Sequence, residues 1–320
     1  MTVQISVILP NFNGEKYLRR AISSFISQDH EEKQLVIVDA KSTDGSHEII
    51  KEFTARPDVL WVQEPDRGIS DAVNIGNKAA SGDIKGFMGS DDVLLPGALS
   101  KVATYAELVD FDGVYFNKYL CFVQERQLIR RPPPVDTISV ENLLKHGTIT
   151  DLQTIFYRRR VFEKYQHNPE NKTCMDYELL LELAKDGAFL AHVDDEIILE
   201  YMDGNISHGS NQKQLDEAHA VALRFKGDYD GPMWSDGMTG RIPTTGQTGS
   251  SNSYKEAYED CEARFAAAVK DFDAEREALK AERDAVHAEL ERSRQEMSDR
   301  ITFLESKLLK YKKPWRLLFK

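Results

Sequence analysis

The chain has 320 residues, 41% of them hydrophobic, and a formal net charge of −12 at pH 7. That is apolar material for one large globular unit plus an addition, and the acidic balance excludes general nucleic-acid binding through a basic surface. Its three cysteines, Cys121, Cys174 and Cys261, are far apart with no CxxC, which excludes a zinc-finger spacing and fits a reducing compartment.

From residue 1 to about 225, short β-branched runs alternate with amphipathic ones. "ISVILP", "LVIVDA", "VLWVQE" and "IKGFMGS" read as strands, while "YLRRAISSFISQ", "HEIIKEFTA" and "ISDAVNIGNKAA" read as helices. This alternation predicts a mostly parallel sheet covered on both faces, with ligands beyond the carboxyl ends of its strands. No basic leader precedes the first strand, and no run approaches the roughly 18 apolar residues of a membrane span. The expectation is a soluble intracellular protein.

Residues 226–253 hold many Gly and Ser without periodicity and read as a linker or loop. Residues 254–306 then repeat apolar positions every three, four or seven places, from Tyr258 through Phe265, Phe272, Leu279 and Val286 to Leu304. This predicts a coiled-coil helix and a homo-oligomer formed through it. Residues 307–320 carry Lys307, Lys310, Lys312, Lys313, Arg316 and Lys320 beside Trp315 and Phe319, with no acid. Such a basic amphipathic tail suits an anionic membrane surface, giving a cytoplasmic protein peripheral to the membrane.

The chemistry-bearing residues sit where strands end. The first strand runs into "LPNFNGEKYL", a polar turn containing Pro10, Asn13 and Gly14, and the second leaves Asp39 at its carboxyl end before an "STDGS" turn in which Asp44 or Ser46 can cap the next helix. In "GFMGSDDVLL", Asp91 and Asp92 follow an apolar run. A carboxylate there loses hydration and needs a basic side chain, backbone donors, or a metal ion carrying phosphate.

The succession "ISVILPNFNGEKYLRRAISSFISQ", "LVIVDAKSTDGSHEII", "EPDRGISDAVNIGNKAASGD" and "GFMGSDD" resembles the family 2 glycosyltransferases across about residues 3–210. The resemblance implies a GT-A type mostly parallel sheet flanked by helices, followed here by the helical extension, and an inverting transfer from a nucleotide-sugar donor to a saccharide or lipid-linked acceptor, as in bacterial surface polysaccharide synthesis. By it, Pro10, Asn13 and Asp39 line the nucleotide pocket, with Asp39 facing the base. Asp66, Arg67, Asp71 and Asn74 approach the diphosphate and sugar, and Asp91 and Asp92 form the element for a divalent metal, Mg²⁺ or Mn²⁺.

A metal held by carboxylates bridges diphosphate oxygens that the aspartates alone would repel. Asp176, in the first turn of the helix in "NKTCMDYELLLELAKDG", is the implied catalytic base, with Glu178 as its alternative. Gln153 is an acceptor or sugar contact and His208 a lid residue. Two departures stand out: relatives often have an acid where this chain has Gly89, and the turn after Asp39 reads Ala40-Lys41. A sugar nucleotidyltransferase, or a coiled-coil scaffold with an inactive transferase domain, are the other readings.

Overall fold

The structure, a computed structural model, describes residues 3–39, 41–122, 127–202, 212–234 and 292. His208, the basic tail and, apart from Arg292, the expected coiled coil lie outside the described residues. The chain divides into two compact units, Met1–Phe265 and Ala266–Lys320, and the first holds the sheet with its flanking helices.

The amino-terminal half follows the alternation in the sequence. Strands β1 (Ile5–Asn11), β2 (Lys33–Asp39), β3 (Val59–Val62) and β4 (Ile84–Phe87) are connected by helices α1 (Glu15–Ile26), α2 (Ser46–Phe53) and α3 (Ile69–Ala79). β1 and β2 are apolar almost without interruption because both faces of a parallel sheet are covered. Ile8 of β1 joins Val36, Val38, Ala72 and Val73 in one core cluster, while Val7 and Leu9 point to the other face and are equally buried. In α1, Leu18, Ala21, Ile22, Phe25 and Ile26 recur at helical spacing and are its buried face. Each such fully buried large side chain contributes about 1.5–3 kcal/mol.

The rest of the chain adds β5 (Val93–Leu94), α4 (Ala98–Leu108), β6 (Gly113–Phe122), β7 (Gln127–Arg131), α5 (Val140–His146), a 3₁₀ turn (Leu152–Thr154), β8 (Ile155–Arg158), α6 (Arg159–Lys164), α7 (Met175–Lys185), β9 (Leu190–Tyr201) and α8 (Gln212–Phe225). The strand order is β3-β2-β1-β4-β8-β6-β9-β5, with β7 on β6. The pairs β1–β2, β1–β4, β2–β3 and β6–β9 are parallel, whereas β4–β8, β6–β8, β6–β7 and β5–β9 are antiparallel. The expected parallel half is present, but the sheet as a whole is mixed. β8 enters it against β4 and β6 because the chain crosses the sheet and returns through the 3₁₀ turn, which no local periodicity announces.

α7 is buried on most of its surface, with Tyr177, Leu179, Leu180, Leu181 and Leu183 all inside. Residues 226–234, the start of the Gly-rich stretch, pack onto this core: Met233 is buried and the Trp234 ring meets Tyr177 edge-on at 5.7 Å. Gly147, at φ 79°, is held to glycine twice over, since a Cβ there would also stand 2.8 Å from the Trp234 ring. Among the described residues no helix is long and apolar enough to cross a membrane.

Candidate active site

At the carboxyl ends of β1 and β2 the side chain of Asp39 is fully buried and organises the loops around it. Its Oδ1 accepts from Ser42 N at 2.8 Å and His47 Nε2 at 3.0 Å, and its Oδ2 from Asn11 Nδ2 at 2.8 Å and Ser42 Oγ at 2.9 Å. Burial pushes its pKa up, but the bonds from Ser42, Asn11 and His47 outweigh it and hold the carboxyl below the usual range. Ser42 Oγ also accepts from Asn13 N at 2.8 Å, and Asn13 Oδ1 accepts from Thr43 N at the same distance. That local bonding suits Asn13 to its left-handed φ of 53°. Pro10 lies beside Val38 in the ladder, so Pro10, Asn13 and Asp39 are brought together. Asn11, Ser42 and His47 complete the group. Asn11 Oδ1 is buried with no partner.

Between β3 and α3, Arg67 Nε meets Asp71 Oδ2 at 3.1 Å and Gly68 N donates to Asp66 Oδ1 at 2.9 Å. Gly68 has φ 136°, which disfavours any side chain. Burial raises the Asp66 pKa, and the charges of Asp71 and Asp39 add to the rise. Asn74 is not brought into that group: it is buried and its amide holds the backbone of His167, donating to the carbonyl at 2.7 Å and accepting from the N–H at 3.0 Å.

The Gly89-Ser90-Asp91-Asp92 segment lies between β4 and β5. Asp92 is buried and its Oδ2 accepts from Gly89 N at 2.8 Å. Burial, then the charges of Glu200 and Asp91, push its pKa up to about 8. Arg20 of α1 braces the segment, donating to Asp91 O at 3.2 Å while its guanidinium lies 3.4 Å over the Tyr201 ring. A Cβ on Gly14 would stand 2.1 Å from Asn11 Oδ1 and 2.9 Å from Ser90 Oγ, so only glycine lets the first loop pass between them.

These residues fit a divalent metal. A Cβ built on Gly89 would lie 2.8 Å from Asp91 Oδ1 and 2.9 Å from Asp92 Oδ2, so both carboxylates crowd one point, and their mutual repulsion in a buried setting is what a hard cation relieves. Among the described residues no three acidic, imidazole or thiol groups form a metal cluster.

Asp176 lies in the first turn of α7, where its Oδ1 accepts from Tyr177 N at 2.8 Å. Cys174, the N-cap, makes no side-chain cap bond, and its own N–H donates to Asn171 Oδ1 at 3.0 Å. Burial, then the neighbouring Asp151 charge, push the Asp176 pKa up to about 6. Glu178 is engaged otherwise: it pairs with Arg224 of α8 and accepts from Asn171 Nδ2 at 2.8 Å and Asn168 Nδ2 at 3.2 Å. Burial would raise its pKa, and these bonds outweigh it and lower it. Gln153 is half-buried in the 3₁₀ turn that follows Asp151. Arg159 and Arg160 meet Asp83 at 3.0 Å and Asp112 at 2.9 Å, at the opposite end of β4 from Asp91.

Sequence reasoning missed the cation of this site. Lys118 on β6 is buried, with its Nζ 2.5 Å from Asp151 Oδ2 and paired also with Glu200 of β9. Burial alone would lower its pKa; Asp151 and Glu200 outweigh it and raise it. Its charge acts on both Asp92 and Asp176, drawing each back toward ionisation. The signal available was a lysine inside the apolar run "VYFNKYLCF".

Comparison with known proteins bears on the family and the fold. The chain is 36% identical over 170 residues to an uncharacterised glycosyltransferase of Nostoc sp., covering 51% of this chain and 53% of that protein, so it spans about half of that relative's length. It is 27% identical over 216 residues to the Bacillus subtilis glycosyltransferase TuaG, named for teichuronic acid biosynthesis, covering 65% of this chain and 82% of TuaG. In fold it is similar to the Pyrobaculum calidifontis mannosyltransferase PcManGT, solved with GDP-Man and Mn²⁺, at a TM-score of 0.53 and 18% identity over 86% of this chain and 76% of that one. The family described as glycosyl transferase family 2 matches residues 6–166, and with the strand-end aspartates of β2 and β4 in place, the chain belongs to glycosyl transferase family 2.

Proposed function

We propose that this protein is an inverting glycosyltransferase that moves a sugar from a nucleotide-sugar to a hydroxyl of a saccharide or lipid-linked acceptor in bacterial polysaccharide synthesis. The observation that carries the reading is the ion-pair group of Lys118, Asp151 and Glu200, whose Glu200 follows Leu199, the β9 partner of Val93 beside Asp92; in this reading the metal element and the base belong to one site. The similarity to TuaG and to a mannosyltransferase solved with GDP-Man and Mn²⁺ supports the donor class and the pathway type.

In this reading the nucleoside lies over Pro10, Asn11 and Asn13. A base N–H reaching Asp39 has to displace one of its four donors, and His47, whose side chain is 31% exposed, is the one with solvent access. Asp66 and Arg67 border the sugar and diphosphate. Asp91 and Asp92 would hold Mg²⁺ or Mn²⁺, which when bound neutralises charge on the departing diphosphate. Asp176, ionised above about pH 6, takes the proton of the acceptor hydroxyl. The acceptor oxygen bonds to the anomeric carbon as the bond to the diphosphate oxygen breaks, on opposite faces, so configuration inverts.

Incubating the protein with UDP- and GDP-sugars, with and without Mn²⁺, tests this. Release of nucleoside diphosphate is the expected result. Pyrophosphate release from UTP or GTP with a sugar 1-phosphate, run in parallel, would instead identify a nucleotidyltransferase, and absence of either product a scaffold. Self-association through residues 254–306 and membrane binding through residues 307–320 belong to the same proposal, because a lipid-linked acceptor is met at a membrane surface.

A further inference from the structure

Lys118 and Glu200 form a sealed pair between neighbouring strands β6 and β9, their side chains 7% and 6% exposed. A buried ammonium needs an acid, and Glu200 already supplies it. Asp151 is the additional acid. Its Oδ2 lies 2.5 Å from Lys118 Nζ while its side chain remains 40% exposed, so one edge of the carboxylate is tied inward and the rest faces solvent.

Its backbone is tied as well. Asp151 O accepts from Thr154 N at 3.0 Å and Thr154 Oγ1 at 2.8 Å, and Thr154 Oγ1 bonds Thr150 Oγ1 at 2.7 Å. A carboxylate fixed at both ends, 40% exposed and leading into the 3₁₀ turn that holds Gln153, is placed to receive a donor from a ligand without losing side-chain freedom on binding. Its charged neighbours are Lys118 of β6 and, paired with the same ammonium, Glu200 of β9; its charge also reaches Asp176 of α7.

We propose that Asp151 is a specificity-determining residue for the acceptor, its outer oxygen accepting a hydrogen bond from a sugar hydroxyl next to the one that attacks, and that Lys118 is the positioning residue behind it. The inference rests on the transferase reading above and adds the acceptor's chemistry: a saccharide with a free hydroxyl adjacent to the reacting one. A site built to bond a hydroxyl rejects the analogue lacking it.

The test uses the full chain, Mn²⁺, a nucleotide-sugar that the wild type hydrolyses, and free glucose, galactose, mannose and their deoxy analogues as acceptor probes. Nucleoside diphosphate release is measured with water alone and with each saccharide. In Asp151→Asn, the saccharide KM should rise about tenfold or more and discrimination against one deoxy analogue should disappear. Lys118→Arg should keep that discrimination and Lys118→Met should lose it. Because Asp151→Asn leaves Lys118 paired with Glu200, its melting temperature serves as the check that it folds. An unchanged acceptor KM in Asp151→Asn, or discrimination against the deoxy analogues kept as in wild type, overturns the inference alone. Wild-type protein that releases no nucleoside diphosphate from any donor overturns the transferase reading and this inference with it.

Discussion

Gly89 N donates to Asp92 Oδ2 at 2.8 Å, and the same oxygen stands 2.9 Å from where a Gly89 Cβ would be. The position at which relatives often carry an acid is therefore filled, in this chain, by the carboxylates that come after it. Gly89→Asp should not strengthen Mn²⁺ binding: it should push Asp91 and Asp92 apart and lower turnover about tenfold or more. Gly89→Ala should lose nearly as much. Titration calorimetry with Mn²⁺ and UDP or GDP checks this, and tighter metal binding by Gly89→Asp would contradict it.

Asp92→Asn should remove the metal-dependent part of nucleoside diphosphate binding while the fold survives, since an amide can still accept from Gly89 N. Turnover above about a tenth of wild type, a loss under roughly 1.4 kcal/mol of barrier, would defeat the assignment.

Asp176→Asn should lower turnover about 10²-fold or more with donor affinity unchanged. For the wild type, the acid limb of the turnover profile should fall away through about pH 6, because the carboxyl must be ionised to accept a proton. Stability carries the opposite sign. A pKa raised by folding favours the folded state while the group is protonated, and that advantage is lost as pH rises through the folded value. Asp176→Asn should therefore melt higher than wild type by a few degrees, for about 1 kcal/mol, above pH 6, and like wild type near pH 4. A variant that melts early at neutral pH would make Asp176 a structural residue.

Asp39 has the reverse sign. Its pKa is lowered, so its contribution is present above the ordinary carboxylate value and fades as pH falls through the folded one. Asp39→Asn should destabilise by about 2 kcal/mol or more at pH 7, because an amide nitrogen would face Ser42 N or Asn11 Nδ2. Donor affinity should fall with it. Thermal melts with and without UDP or GDP read both effects.

Removing residues 254–320 should leave nucleoside diphosphate release intact, since Asp39, Asp92 and Asp176 all lie before residue 203. The full chain should sediment as an oligomer and pellet with anionic vesicles in a salt-sensitive way. Removing only residues 307–320 should abolish vesicle binding and keep the oligomer. A monomeric full chain that ignores such vesicles would remove both readings.

What the sequence determined on its own was local and periodic. The apolar runs of β1, β2 and β4, the helical spacing of α1 and α3, and the placing of Asp39 and Asp91-Asp92 at strand ends all come from side-chain patterns a few residues long. What only the tertiary structure decided involves groups far apart in the chain. Lys118 of β6 meets Glu200 of β9 and Asp151, which precedes the 3₁₀ turn, Asn74 holds the backbone of His167, and Glu178 pairs with Arg224 of α8. Burial and charge set those roles, and both depend on which strands become neighbours; the reversal that brings β8 between β4 and β6 leaves no mark in local periodicity.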